Sequence, residues 1–160
     1  MKQTALSRWL KFIIIGVGIC GLIVYGIVIP MLGQTIAAYE KGAFDYCYWP
    51  WLGFIWITGI PCYIVLVLAW KIANNIGADK SFSLSNAKFL KWISMLAIGD
   101  AAFFFAGNIV YLFLNMNHPG IVLFSLIIVF AGVAVAVASA ALSNLVLKAE
   151  VLQEQSDWTI

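Results

Sequence analysis

Residues 92–147 read WISMLAIGDAAFFFAGNIVYLFLNMNHPGIVLFSLIIVFAGVAVAVASAALSNLVL, and Asp100 is the one charged side chain among these 56 residues. A helix needs about 20 apolar residues to cross the hydrocarbon core of a bilayer, so the run is long enough for two crossings. It is interrupted at residues 115–120, where amides, proline and glycine in succession indicate a tight turn. We therefore predict two membrane-spanning helices, near 92–114 and 121–147.

Two further uncharged runs lie upstream, 28 residues at 12–39 and 25 residues at 46–70. Each holds one crossing, and we place these near 12–32 and 51–70. The sequence thus predicts an all-α fold, a four-helix transmembrane bundle forming one membrane domain over 1–160. The remaining segments are a loop at 71–91 and a tail at 148–160.

Two sequence features bear on how the helices pair. Residues 7–13 (SRWLKFI) resemble residues 87–93 (AKFLKWI) at an offset of 80, which suggests two tandem helical hairpins. The alternative to a duplication is that any segment leading from the cytoplasm into a bilayer tends to contain basic, aromatic and apolar residues in this order. Small residues recur at Gly132, Ala136 and Ala140, a spacing that suits close helix packing within the bundle or across a homodimer.

Composition excludes several classes of protein. Hydrophobic residues make up 64% of the chain and charged residues 10%, and the formal net charge is +2. Soluble domains average about 45–50% apolar and about 25% charged residues. An ordinary soluble globule and a disordered chain are excluded, and so small a charge predicts no direct binding of nucleic acid. The lipid bilayer is the expected surroundings.

Basic residues predict the orientation, because cytoplasmic loops carry an excess of Lys and Arg. One side of the bilayer would hold eight of them and the other side only Lys41. The eight are Lys2, Arg8, Lys11, Lys71, Lys80, Lys88, Lys91 and Lys148. We expect both termini, the loop at 71–91 and the tail to be cytoplasmic.

Asp100 is the one ionisable residue within a predicted span. A carboxylate at that depth is costly unless it is partnered or protonated. Counting residues from the cytoplasmic ends brings Tyr63 and Ser139 to a similar depth, and both hydroxyls can donate to a carboxylate. We predict an intramembrane polar site of Asp100, Tyr63 and Ser139, which either handles protons or cations or fixes helix packing.

Catalytic and metal-binding patterns are missing from the sequence. The three cysteines form no CxxC pair, and His118 has no second His, Cys or acid near it in the sequence. No nucleophile triad and no glycine-rich phosphate loop occurs. We therefore predict no enzyme, no catalytic residue, no metal site and no cofactor.

The segments outside the spans are more distinctive than the spans. Lys88 and Lys91 lie three residues apart and would share one helix face. The tail extends the fourth helix into water and combines acidic with apolar residues. The candidate surface for docking a partner consists of Lys88, Lys91, Glu154, Asp157, Trp158 and Ile160.

Two of these segments carry a resemblance to a known family. Phe82-Ser83, Asn86-Ala87-Lys88 and Leu90-Lys91, the four spans and the closing residues 154–160 resemble the YoaS-like family of bacterial membrane proteins, domain of unknown function 2975. Many relatives end in Glu-Asn-Asp-Leu-Thr-Ile, from which Gln155, Ser156 and Trp158 depart. The resemblance implies a bacterial cytoplasmic membrane, no settled activity, no catalytic residues, and genes that often neighbour a small helix-turn-helix regulator.

Two functions are compatible with these observations. The first is a regulatory or sensory partner that binds a small cytoplasmic helix-turn-helix regulator through the loop and tail. The alternative is a small transporter, channel or immunity-type protein that uses the Asp100 site. A transporter should hold several polar residues within its spans, and here there is essentially one charge.

Overall fold

The computed structural model describes residues 3–39 and 45–157, and no strand occurs in either range. The helices are α1 (Gln3–Ile23), a π-helical segment (Val24–Val28), α2 (Ile29–Tyr39), α3 (Asp45–Gly77), α4 (Leu84–Phe113) and α5 (Pro119–Asp157). α1, the π-helical segment and α2 follow one another without a break, so these ranges hold four rods, each long and apolar enough to span a membrane. The predicted all-α, four-helix fold is confirmed. We call the rods the first to fourth spans.

The helices extend beyond the stretches that hydropathy assigned to the bilayer. Only residues 78–83 separate α3 from α4, so most of the predicted loop at 71–91 is helical. α5 likewise continues through residues 148–157 of the predicted tail. Backbone hydrogen bonding continues in water as well as in lipid, so apolar composition marks the membrane-facing part of a helix and not its ends.

Pro30 leaves a backbone carbonyl of the first span free to accept a hydrogen bond from the second span. In the π-helical segment the Ile29 amide donates to the Val24 carbonyl, so the next bond of this kind would join Pro30 to Tyr25. Proline has no N–H, and the Tyr25 carbonyl is left without that donor. Trp56 of α3 supplies one instead, because its indole Nε1 donates to the Tyr25 carbonyl at 3.0 Å.

The four spans pack in the order of the chain. The first span packs on the second, the second on the third, and the third on the fourth. Within residues 3–39 and 45–157, no Cα atom of the first span comes within 8 Å of one in the third or fourth. The bundle is therefore open between its first and last helices.

One end of the bundle carries most of the cations, and we call it the basic end. Its described cations are Arg8, Lys11, Lys71, Lys80, Lys88, Lys91 and Lys148. Each helical hairpin is tied there by a serine bonded to a carbonyl: Ser7 Oγ donates to Ala73 at 2.6 Å, and Ser143 Oγ donates to Ala87 at 2.7 Å. Ser7 and Ala87 also occupy equivalent positions in the two segments that resemble each other at an offset of 80. Ser7 is the donor in the first hairpin, whereas Ala87 supplies the acceptor in the second.

The turn between α3 and α4 is organised by one buried asparagine, Asn86, whose side chain is 1% exposed. Its Nδ2 donates to the carbonyls of Lys80 at 3.1 Å and Ser81 at 3.0 Å, and its Oδ1 accepts from Asn75 Nδ2 at 2.8 Å. Its own amide donates to the side chain of Ser83, which caps α4. These bonds satisfy the buried amide of Asn86 and give two turn carbonyls a donor within the protein.

The turn between α4 and α5 is organised by a second asparagine pair. Asn117 Nδ2 donates to Asn108 Oδ1 at 2.9 Å, and Asn108 Nδ2 donates back to the Phe104 carbonyl of its own helix at 2.8 Å. The amide of Gly120 donates to His118 Nδ1 at 3.0 Å, and Pro119 begins α5. Proline suits the first position of a helix, where its missing N–H would have no helical partner.

Candidate functional site

Asp100 lies on the side of α4 that packs against α3. Cys62 of α3 is its partner, and the thiol Sγ donates to Asp100 Oδ2 across 3.9 Å. The other carboxyl oxygen, Oδ1, is buried and has no hydrogen-bond partner. A thiol is a weak donor, so the carboxyl group is only partly satisfied within the protein.

Two further polar side chains complete this site. Tyr25, in the π-helical segment of the first span, lies close enough to Thr58 and Cys62 to interact with their side chains. Thr58 is buried, and its Oγ1 donates to the Ile55 carbonyl at 2.7 Å. The ring of Tyr25 lies against Gly59, where a Cβ would come within 3.2 Å of it. We call Tyr25, Thr58, Cys62 and Asp100 the Asp100 cluster.

The structure places the other two predicted residues of the polar site elsewhere. The Tyr63 hydroxyl donates to the Gly18 carbonyl of α1 at 3.1 Å. Ser139 lies on α5, which packs on α4 and makes no close approach to α3. Among the described residues, neither side chain forms a hydrogen bond with Asp100.

The predicted and observed partners of Asp100 differ for a geometric reason. Counting residues from the membrane boundary gives the depth of a side chain but not the face of the helix on which it lies. Tyr63 and Cys62 share a depth, yet adjacent residues on a helix point in directions about 100° apart. One signal was available in the sequence: Thr58 and Cys62 are spaced four residues apart, the spacing that aligns two side chains on one face.

The predicted docking residues lie at or beyond the basic end. Lys88 and Lys91 are exposed on α4, and within the described ranges no carboxylate lies within salt-bridge distance of either. Glu154 is exposed on α5, and Asp157 is the last helical residue. Trp158 and Ile160 lie outside the described residues.

The projecting part of α5 has features that the sequence reasoning did not single out. Val151 is 47% exposed and Leu152 is 65% exposed, although both lie past the apolar run. Glu150 Oε2 is buried without a hydrogen-bond partner, on the helix face that also carries Ser143 and Val146. This projection therefore combines exposed apolar side chains with carboxylates.

Within residues 3–39 and 45–157, no three His, Cys, Asp or Glu side chains lie together in a way that could hold a metal ion. Cys20, Cys47 and Cys62 are free thiols, and Cys47 is buried.

Comparisons with known proteins agree with this picture. The model of the family described as "Protein of unknown function (DUF2975)" matches residues 33–160. The chain is 30% identical to the "Uncharacterized membrane protein YoaS" of Bacillus subtilis (strain 168) over 164 residues, which cover 99% of each chain. No solved structure matches. The family resemblance carried by the α3–α4 turn and the tail is confirmed.

Proposed function

We propose that this chain, which belongs to the DUF2975 family of multi-pass membrane proteins of unknown function, is a regulatory partner that holds a small cytoplasmic helix-turn-helix regulator at the membrane. The basic end is the proposed docking side, because the distribution of basic residues predicts that it faces the cytoplasm. In this proposal, a change in the membrane alters how the regulator docks, and so alters its access to DNA.

The projection of α5 carries the proposal. Ten residues of α5, 148–157, follow Leu147, which corresponds to about 15 Å of helix beyond the apolar run. This segment exposes Val151 and Leu152 next to Glu154. An amphipathic helix of this kind binds partners by laying apolar anchors into a groove.

Charge complementarity supports a DNA-binding partner. From Lys148 to Asp157 the projection holds three carboxylates and one cation. Proteins that bind DNA present Lys and Arg to the phosphates, and an acidic helix is complementary to such a face. Docking of that face on the projection would compete with DNA.

The structure at the basic end is suited to relaying a change in the membrane. α5 is tied to α4 through Ser143 and Ala87, and Val146 packs against Ala87 and Leu90. α4 is in turn tied to the end of α3 through Asn86 and Asn75. A shift between spans would therefore change the position of the projection relative to the exposed Lys88 and Lys91.

The alternative is a small transporter, channel or immunity-type protein. The Asp100 cluster favours it, because Oδ1 is buried without a partner and intramembrane carboxyl groups often handle protons or ions. Against it stands the open packing of the spans, since one chain with this order does not enclose a channel. The two proposals separate on Asp100→Asn, which should abolish transport and leave regulator binding unchanged.

Co-purification tests the proposal. Small helix-turn-helix proteins encoded by the neighbouring genes are each expressed with the full chain, with a chain ending at Leu147, and with a Val151→Gln, Leu152→Gln variant. We expect the full chain to retain the regulator and both altered chains to lose most of it. Gln153→Ala is the matched control on the same exposed segment and should behave as the full chain.

Two results would contradict the proposal. Equal recovery of the regulator with the full chain and with a folded truncated chain removes the projection from the mechanism. Failure of the full chain itself to retain the regulator removes the partner.

A further inference from the structure

A second site lies at the basic end, between the start of α1 and the end of α3. It is an open cleft of about 410 Å³ whose lining includes Thr4, Ser7, Arg8, Lys11, Asn74 and Gly77. The two helices approach each other closely here. Ser7 Oγ donates to the Ala73 carbonyl, and a Cβ at Gly77 would lie only 2.8 Å from Ser7 Oγ. The Asp100 cluster shares no residue with this cleft.

The lining is suited to an anion. Arg8 and Lys11 are three residues apart on α1 and both line the cleft. Among the described residues neither cation has a carboxylate within salt-bridge distance. Thr4 and Asn74 add a hydroxyl and an amide that can donate hydrogen bonds. An Arg guanidinium binds phosphate oxygens in a bidentate manner, and Lys adds a second positive charge.

The surroundings place the cleft at the depth of lipid headgroups. Lys11 Nζ lies 5.4 Å from the centre of the Trp70 ring, and Trp9 is 62% exposed on the same helix as Arg8. Tryptophan is enriched at the membrane–water interface, where its ring sits among the headgroups. Further along α1, Phe12 and Ile15 present exposed apolar side chains.

We propose that this cleft binds the phosphate headgroup of an anionic phospholipid. The phosphate accepts hydrogen bonds from Arg8, Lys11 and Asn74, and the acyl chains lie along α1. Bound there, the lipid joins the first span to the second. Among the described helices the first span packs only on α3, and Ser81 of the α3–α4 turn adds one hydrogen bond to Gln3, so a lipid bridge adds to these attachments.

The test measures lipid binding to the purified full chain in an uncharged detergent by native mass spectrometry. Phosphatidylglycerol, phosphatidylcholine and inorganic phosphate are titrated separately. We expect phosphatidylglycerol to bind more tightly than phosphatidylcholine, and millimolar phosphate not to displace it. Arg8→Gln with Lys11→Gln should weaken phosphatidylglycerol binding by roughly 30-fold, since each cation near an anionic surface contributes a factor of about five.

The matched control is Lys88→Gln with Lys91→Gln, which removes two exposed cations of the same spacing outside the cleft. It should change phosphatidylglycerol binding by less than about twofold. Should the double cleft variant not fold, Arg8→Gln and Lys11→Gln are measured singly, with about fivefold weakening expected from each.

Three results would overturn the proposal. Equal weakening by both double variants would indicate general attraction to anionic lipid. Equal affinity for the two lipids would remove the role of headgroup charge. Binding of inorganic phosphate as tightly as of phosphatidylglycerol would make the cleft a site for a soluble anion.

Discussion

The two turns at the ends of α4 use the same residue for different purposes. Each contains an asparagine pair, Asn75 with Asn86 at the basic end and Asn117 with Asn108 at the opposite end. The α4 member is buried in both, 1% exposed for Asn86 and 3% for Asn108. Each turn also holds one non-glycine residue with positive φ, Asp79 at 59° and Asn115 at 56°.

The difference lies in what the buried amide holds. Asn86 donates to two turn carbonyls, so its side chain connects α3, the turn and α4. Asn108 donates to its own helix and makes one bond to the turn. The α3–α4 turn is thus a fixed platform beside the projection of α5, whereas the opposite turn depends more on local bonds of Asn117 and His118. The family-like segment at the α3–α4 turn therefore has a structural role.

The largest expected effect concerns the side of the membrane on which each turn lies. In a chain with all three cysteines changed to alanine, we place a cysteine at Phe82 or at His118, both exposed. An impermeant maleimide added to intact cells should label the cysteine at 118 and leave the one at 82 unlabelled, because basic residues favour the cytoplasmic side. Labelling in the reverse pattern would invert the topology and the assignment of the docking surface.

Asn86→Ala should be the most destabilising change in either turn. It removes three side-chain hydrogen bonds, to Asn75, Lys80 and Ser81, from a side chain that is 1% exposed. We expect a loss of about 3 kcal/mol in the free energy of unfolding, measured in detergent. Asn144→Ala, at an exposed position of α5, is the control and should change stability by less than about 0.5 kcal/mol.

Asn108→Ala should cost less, about 1–2 kcal/mol, because only one bond to the turn and one bond within its helix are lost. The same unfolding measurement compares it with Asn86→Ala. In the co-purification experiment, Asn108→Ala should leave regulator recovery unchanged while Asn86→Ala lowers it. A larger stability loss at Asn108 than at Asn86 would show that the opposite turn is the better-connected one.

The smallest effect should come from the helix cap at the basic end. Ser83→Ala removes the side chain that accepts from the Asn86 amide and should destabilise the protein by about 1 kcal/mol. Ser85→Ala is the control, since Ser85 is exposed and lies inside the helix. If the two substitutions change the thermal unfolding equally, the hydrogen bond of the Ser83 cap contributes nothing to stability.

The sequence by itself determined the fold class, the number of spans and the turn between α4 and α5. These follow from local properties: the length of apolar runs, the polar residues that interrupt them, and the helical preference of a chain in lipid. The same local reasoning located Asp100 as the charged residue within a span and identified the family through residues 82–91 and the tail.

Only the tertiary structure decided which side chains meet. The partner of Asp100 is Cys62 and not Tyr63, because the rotation of α3 about its axis depends on how it packs against both neighbours. The open order of the spans and the cleft at Arg8 and Lys11 likewise depend on contacts between residues far apart in the chain, such as Ser7 with Ala73. Hydropathy reports depth along one helix, whereas a site requires the relative rotation of several.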